Sequence, residues 1–234
     1  MTPSNKKQVV ILLGQPGSGK GTQGQLLSEK LNLYYFDTSK VLEESFKKAK
    51  KGEQVLVDGK KYSLEKEKEL FLTGKLCSPP LVTYLVSEKI KTLFDEDKSV
   101  ILAGSPRTLY EGERVVPLLK RLYGLKNIKV IMLEISAKET IWRNSHRKLC
   151  ELMRHTIMYS KETEKLTKCP LDGSKLQARK GLDNIETIKV RLKEYQERTF
   201  PLLKFYQDSG LKVVKINGSP APSVIFENIL KVLK

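Results

Sequence analysis

The segment Gln8–Leu13 (QVVILL) is a continuous apolar run rich in β-branched residues. Gly14-Gln15-Pro16-Gly17-Ser18-Gly19-Lys20-Gly21-Thr22 follows it directly. A run without polar alternation predicts a strand buried on both faces, as in the centre of a parallel sheet. The glycines let the backbone curl so that successive N–H groups point inward, and the following segment opens a helix with a partly positive N-terminus. Together these features predict a cradle for nucleotide phosphates, built from Gly14, Pro16, Gly17, Ser18, Gly19, Lys20, Gly21 and Thr22. Lys20 reaches the β- and γ-phosphates and the Thr22 hydroxyl approaches Mg²⁺. Gly21 shifts Thr22 by one position from the commonest spacing.

Further apolar runs fall at 33–37, 99–103, 127–135 and 211–216. Between them lie amphipathic stretches at 20–31, 38–50, 80–94, 109–123, 138–149, 184–207 and 222–233. Alternation of this kind predicts an α/β fold, a five-stranded parallel sheet between two helical layers. Two stretches break the rhythm. Residues 51–74 are polar, with an apolar patch at Val55–Val57 and a helix-like run from Leu64 to Phe71. Residues 153–181 are lysine-rich and hold a Cys-Pro turn. Both read as insertions projecting from the sheet.

Composition narrows the function class. The 43 Lys+Arg outweigh 27 Asp+Glu, a formal net charge of +16, so the expected partners are anions. No aromatic-rich RNA-binding motif or DNA-reading helix accompanies the charge, and nucleic acid is not expected. No apolar run approaches the ~18–20 residues that a membrane helix needs, so no membrane partner is expected. Three cysteines, Cys77, Cys150 and Cys169, are too few for a disulfide scaffold and fit the cytoplasm.

The loop Gly14–Gln23 resembles that of adenylate kinases and related nucleoside monophosphate kinases. Further blocks match in order: Gly104-Ser105-Pro106-Arg107-Thr108 resembles the family's Gly-Phe-Pro-Arg-Thr, and Arg143 and Arg147 are spaced as its lid-hinge pair. Asp183–Thr187, Arg191-Leu192 and Tyr195 resemble the segment returning from the lid. The similarity spans essentially the whole chain and is greatest to bacterial long-lid members.

The resemblance implies a P-loop kinase core over residues 1–37, 76–147 and 182–234, an acceptor-binding segment at 38–75 and a lid at 148–181. The segment around Gly52–Lys61 exceeds the family pattern and has no assignment. The implied reaction moves the γ-phosphoryl of MgATP to AMP, giving two ADP. A kinase for GMP, CMP or UMP and a nucleotide-binding regulatory module of low turnover are the alternatives. Arg107 would bind the acceptor's α-phosphate with Thr38 and Gly104. Arg143, Arg147 and Arg191 would clamp the donor and the moving phosphoryl. The position before the Asp is Lys180 on ungapped alignment and Arg179 with one extra residue. A monomer is the default for such relatives.

The departures gather on the acceptor side. The family's Ser-Thr-Gly-Asp-x-Leu-Arg is Asp37-Thr38-Ser39-Lys40-Val41-Leu42-Glu43, so its Mg-water Asp is Lys40 and its phosphate-binding Arg is Glu43. The expectation is that Lys40 supplies the phosphate charge while Glu43 orients it or takes a metal-water contact. Ala103 replaces a second acid at the end of the third strand, leaving Mg²⁺ to the phosphates, Thr22 and water. Glu111 replaces the Gln that reads the acceptor adenine; a carboxylate could accept from adenine's amino group, and would suit guanine at least as well.

Zinc-ribbon lids carry paired Cys-x₂-Cys units. Here the positions are Cys150 and Met153, then Cys169 and Asp172, with His155 nearby to substitute. Met is a poor zinc ligand, so the expectation is a ribbon-shaped loop held by packing, with zinc at Cys150, Cys169 and Asp172 as the alternative.

Overall fold

A computed structural model of the chain describes residues 7–178 and 183–233. In chain order the core opens with β1 (Val9–Gly14), α1 (Lys20–Leu31) and β2 (Tyr34–Phe36). The first insertion comprises α2 (Thr38–Lys48), β3 (Gln54–Val57), β4 (Lys60–Ser63) and α3 (Leu64–Leu72). The core resumes with α4 (Pro79–Asp95), β5 (Val100–Leu102), α5 (Leu109–Tyr123), β6 (Ile128–Glu134) and α6 (Ala137–His146). Short strands β7 (Lys148–Cys150), β8 (Thr156–Ile157) and β9 (Leu176–Gln177) form the second insertion. The chain then returns through α7 (Ile185–Glu194), α8 (Leu202–Asp208), β10 (Val213–Asn217) and α9 (Pro222–Leu233).

The main sheet has the order β2-β5-β1-β6-β10, with every pair parallel. Successive β1 side chains serve opposite faces. Val9, Ile11 and Leu13 pack with Leu81, Val86 and Ile90 of α4 and with Val115 and Leu119 of α5. Val10 and Leu12 pack with Leu27 of α1 and Ile225 and Ile229 of α9. This is the expected three-layer α/β/α core. Parallel strands deliver their C-terminal ends to one edge, so the loops after Gly14, Phe36 and Leu102 converge there.

Some boundaries differ from the sequence reading. The helix expected at 138–149 stops at His146, and Lys148–Cys150 pairs as a strand with β8 and β9. The helix expected at 184–207 is three pieces: after α7 the backbone widens into a π-turn at Tyr195–Thr199, where Phe200 N–H donates to Tyr195 O. Pro201, with no N–H to give, precedes α8. The unassigned stretch at 52–61 contains a β-hairpin, β3 antiparallel to β4. Its turn is Asp58-Gly59, at φ 49° and 77°, the left-handed pair that a two-residue turn requires.

Candidate active site

The glycine-rich loop curls between β1 and α1 against α6. Gly17 adopts φ 80°, and a Cβ there would come 2.4 Å from Asn144 Nδ2. Both the dihedral and the close approach require glycine. Asn144 is fully buried, and Thr140 of the same helix donates to Gln15 Oε1 at 3.0 Å, so α6 braces the loop from behind. Lys20 Nζ donates to Gly14 O at 2.7 Å and Gln15 O at 2.9 Å. Burial, and then Arg107, Arg191 and Arg147, push Lys20 down to about 7, with Asp37 opposing.

These groups wall a cleft of about 280 Å³. Every loop residue expected at the phosphates lines it except Ser18, which is buried beneath. Arg107, then Arg143 and Arg147 at the end of α6, and Arg191 of α7 all reach the same cleft. Arg143 and Arg147 are fixed by partners. Arg143 donates to Gly218 O and Ser219 O, each at 2.9 Å, and pairs with Glu139 at 2.6 Å. Arg147 pairs with the buried Asp183 at 2.5 Å. Arg179 and Lys180 lie outside the described residues.

Among the residues expected at the acceptor, Thr38 is buried, and its hydroxyl has no hydrogen-bond partner among the described residues. Gly104 lines the cleft, and a Cβ on it would sit 3.0 Å from Arg107 Nη2. Lys40 is exposed, its Nζ 6.0 Å from the Tyr35 ring centroid, and it is not on the cleft wall.

Glu43 corrects the expectation of a Lys40 partner. Its carboxylate takes both arms of Arg154, at 2.6 and 3.4 Å, so α2 is tied to the second insertion instead. A guanidinium fork matches a carboxylate better than an ammonium three residues away on the same helix.

Glu111 likewise corrects the expectation of a base reader. It is 3% exposed, absent from the cleft wall, and accepts from Ser105 Oγ at 3.0 Å, Arg107 N–H at 3.1 Å and Thr108 Oγ1 at 3.2 Å. Burial raises its carboxyl above the ordinary range, against these hydrogen bonds and the charge of Arg107. Ser105, standing where the family has phenylalanine, gives the carboxylate a partner inside the turn. Thr108 in turn accepts from Glu111 N–H at 3.3 Å, the N-cap that starts α5.

In the second insertion, one donor atom each from Cys150, His155, Cys169 and Asp172 lies within 4.8 Å of the others. His155 Nδ1 is 3.5 Å from each sulfur and 3.1 Å from Asp172 Oδ2. Met153 is largely exposed and outside the cluster.

Sequence reasoning also passed over cleft residues. Trp142 and Tyr159 line it, their rings 5.4 Å apart edge to face. Trp142 precedes Arg143 on an expected helix, which was an available signal. Asp37, read only as the residue before Thr38, lines it too.

A sequence model of the family described as adenylate kinase matches residues 12–211, from the middle of β1 to just before β10. The chain belongs to the adenylate kinase family. It is 30% identical over 224 residues to an adenylate kinase of Methanothrix thermoacetophila, covering 96% of this chain and 97% of the relative. Against an adenylate kinase of Oceanobacillus iheyensis it is 32% identical over 227 residues, 96% and 98% of the two chains. One of Chlamydia pneumoniae is 31% identical over 226 residues, 97% of each. Family membership makes the chain a phosphotransferase and a nucleoside monophosphate kinase; adenylate kinases in general use ATP and Mg²⁺. Among the described residues no helix is long and apolar enough to cross a membrane.

Proposed function

We propose that the chain transfers the γ-phosphoryl of ATP to AMP, giving two ADP. The observation that carries this reading is the convergence of Lys20, Arg107, Arg143, Arg147 and Arg191 on one cleft floored by the glycine-rich loop. An acceptor phosphate oxygen attacks the γ-phosphorus, and the bond to the β-phosphate's bridging oxygen breaks. Such a transfer asks for alignment and charge neutralisation more than for a side-chain base.

The loop N–H groups and Lys20 hold the donor phosphates. Arg143, fixed by the carbonyls of Gly218 and Ser219, sits beside Trp142 and Tyr159, which offer flat faces to the donor base. Arg147, steadied by Asp183, and Arg191 meet the moving phosphoryl. Thr38, Gly104 and Arg107 hold the acceptor; the unpartnered Thr38 hydroxyl is available to a ligand oxygen. Mg²⁺, a hard cation, would supply further neutralisation; Thr22 gives it a hydroxyl oxygen on the cleft wall. Residues 38–75 act as the acceptor segment and 148–181 as the lid, and closure of both excludes water. The same reading takes the chain as a cytoplasmic monomer.

The lid residues fit a structural zinc better than the sequence suggested. A tetrahedral site with bonds of ~2.0–2.3 Å has ligand–ligand edges of roughly 3.3–3.8 Å. The separations of 3.1–3.5 Å around His155 are close to that. Cys150, His155, Cys169 and Asp172 would hold the ion, with His155 in the role that Met153 cannot fill.

Initial rates with AMP, GMP, CMP and UMP as acceptors test the base assignment. AMP is expected to give the highest kcat/KM. A preference for another monophosphate would move the chain to a kinase for that base.

A further inference from the structure

A cleft proposed to take a nucleoside triphosphate, a monophosphate and a divalent cation carries a surplus of positive groups. Lys20, Arg107, Arg143, Arg147 and Arg191 all face it. Among the described residues that line it, only Asp37 and Glu194 are carboxylates, and Glu194 is paired with Arg198 at 3.0 Å. Asp37 has no such partner. One of its oxygens caps α2 by accepting from Ser39 N–H at 2.9 Å; the other has no hydrogen-bond partner among the described residues.

Its position is set by the sheet. Phe36 of β2 stands in register with Leu102 of β5, so Asp37 and Ala103 emerge side by side at the C-terminal edge. Both line the cleft, as do Lys20 and Thr22. The negative charge of Asp37 is felt at the Lys20 ammonium, where the β- and γ-phosphates are to be held. The edge at Ala103 is therefore not without an acid: the neighbouring strand end supplies one at the same level.

We propose that Asp37 holds the water shell of the nucleotide-bound Mg²⁺ through its uncapped oxygen. A small cation that keeps several waters is recognised by carboxylates hydrogen-bonding those waters, and Asp37 is an acid on the same cleft as Thr22. The same carboxylate oxygen cannot be spared for the helix cap, so the two roles fall on different oxygens of one side chain. Asp37 is thus a positioning residue for the metal. The inference rests on the kinase reading of the cleft.

The substitution that isolates this role is Asp37→Asn, because asparagine caps a helix as well as aspartate does. Asp37→Ser also keeps the cap and serves as the second variant. The probe is Mn²⁺, titrated into protein saturated with a non-hydrolysable ATP analogue and followed by electron paramagnetic resonance. Thermal unfolding of the same samples reports on the fold. Both variants are expected to bind Mn²⁺ roughly tenfold more weakly than the wild-type complex, with unfolding temperatures unchanged. Wild-type Mn²⁺ affinity in the Asn variant overturns the proposal. So does a raised KM for AMP at saturating Mn²⁺ with no change in metal affinity, which would assign Asp37 to the acceptor. A wild-type protein that fails to bind the ATP analogue at all would instead refute the kinase reading.

Discussion

The contact between Glu43 and Arg154 joins the first insertion to the second, the proposed acceptor segment and lid, 111 positions apart in sequence. Arg154 reaches it from a left-handed backbone, φ 59°, which costs a residue with a side chain roughly 1 kcal/mol or more. The pair is part-exposed, 31% for Glu43 and 42% for Arg154, so solvent screens it. Exposed pairs contribute ~0.2–1 kcal/mol, and the two-armed geometry places this one near the top of that range. About 1 kcal/mol corresponds to roughly a fivefold change in the ratio of clasped to unclasped forms.

Glu43→Ala and Arg154→Ala are each expected to lower that ratio about fivefold, raising KM for both substrates by up to that factor. Glu43→Arg, which sets two guanidiniums face to face, is expected to do more. The exchange of both residues, Glu43→Arg with Arg154→Glu, is expected to recover most of the loss. The assay is a double-mutant cycle on KM for ATP and AMP, read at low and high salt, with energy transfer between dyes on α2 and the second insertion reporting the distance. The wild-type advantage is expected to shrink in high salt. Additive single effects, or Glu43→Ala raising KM for AMP alone while Arg154→Ala is silent, would refute the clasp.

Lys20 gives a pH dependence with a definite sign. Its folded-state pKa of about 7 lies below the ordinary 10.5, and bound phosphates favour the charged form and raise it. Between those values binding takes up a proton, so ATP affinity is expected to fall as pH rises above about 7. Calorimetry at pH 8 in buffers of different ionisation enthalpy should register uptake of most of one proton, lost in Lys20→Met; proton release would contradict it. Glu111→Ala leaves the donors of Ser105, Arg107 and Thr108 unmatched and is expected to cost about 1–3 kcal/mol, seen as a lower unfolding temperature. Glu111→Gln is expected to leave base preference unchanged, and a switch in preference would return Glu111 to the base site. Metal analysis of the purified protein is expected to find about one zinc per chain, lost in Cys169→Ser. A wild-type content far below that would leave the lid held by packing.

Much of the sheet was legible because its signals are local. The apolar run at Gln8–Leu13 and the glycines after it define β1, the loop and the start of α1 without help from the rest of the chain. The helices at Lys20–Leu31, Leu109–Tyr123 and Pro222–Leu233 match their amphipathic periods to the residue. The hairpin at Gln54–Ser63 also has a local signal, the Asp58-Gly59 pair of its turn. The N-cap pattern Thr108-x-x-Glu111 was likewise a visible reason for Glu111 to face the turn.

Other features had no local signal. Nothing near Glu43 in sequence announces Arg154, since the pair depends on two insertions meeting. The π-turn at Tyr195–Thr199 has no such signal, although Pro201, inside the stretch expected as one helix at 184–207, was a visible reason for a break. Asp37 caps α2. Only the register of β2 with β5 brings it beside Ala103.

The most direct test follows phosphorus nuclei by NMR in a mixture of ATP, AMP and Mg²⁺ with wild-type protein, using Lys20→Ala as the blank. Wild type is expected to form two ADP for each AMP consumed, with no inorganic phosphate, and the blank to form essentially none. Inorganic phosphate in place of ADP, or ADP formed equally by the blank, would contradict transfer to the monophosphate in this cleft.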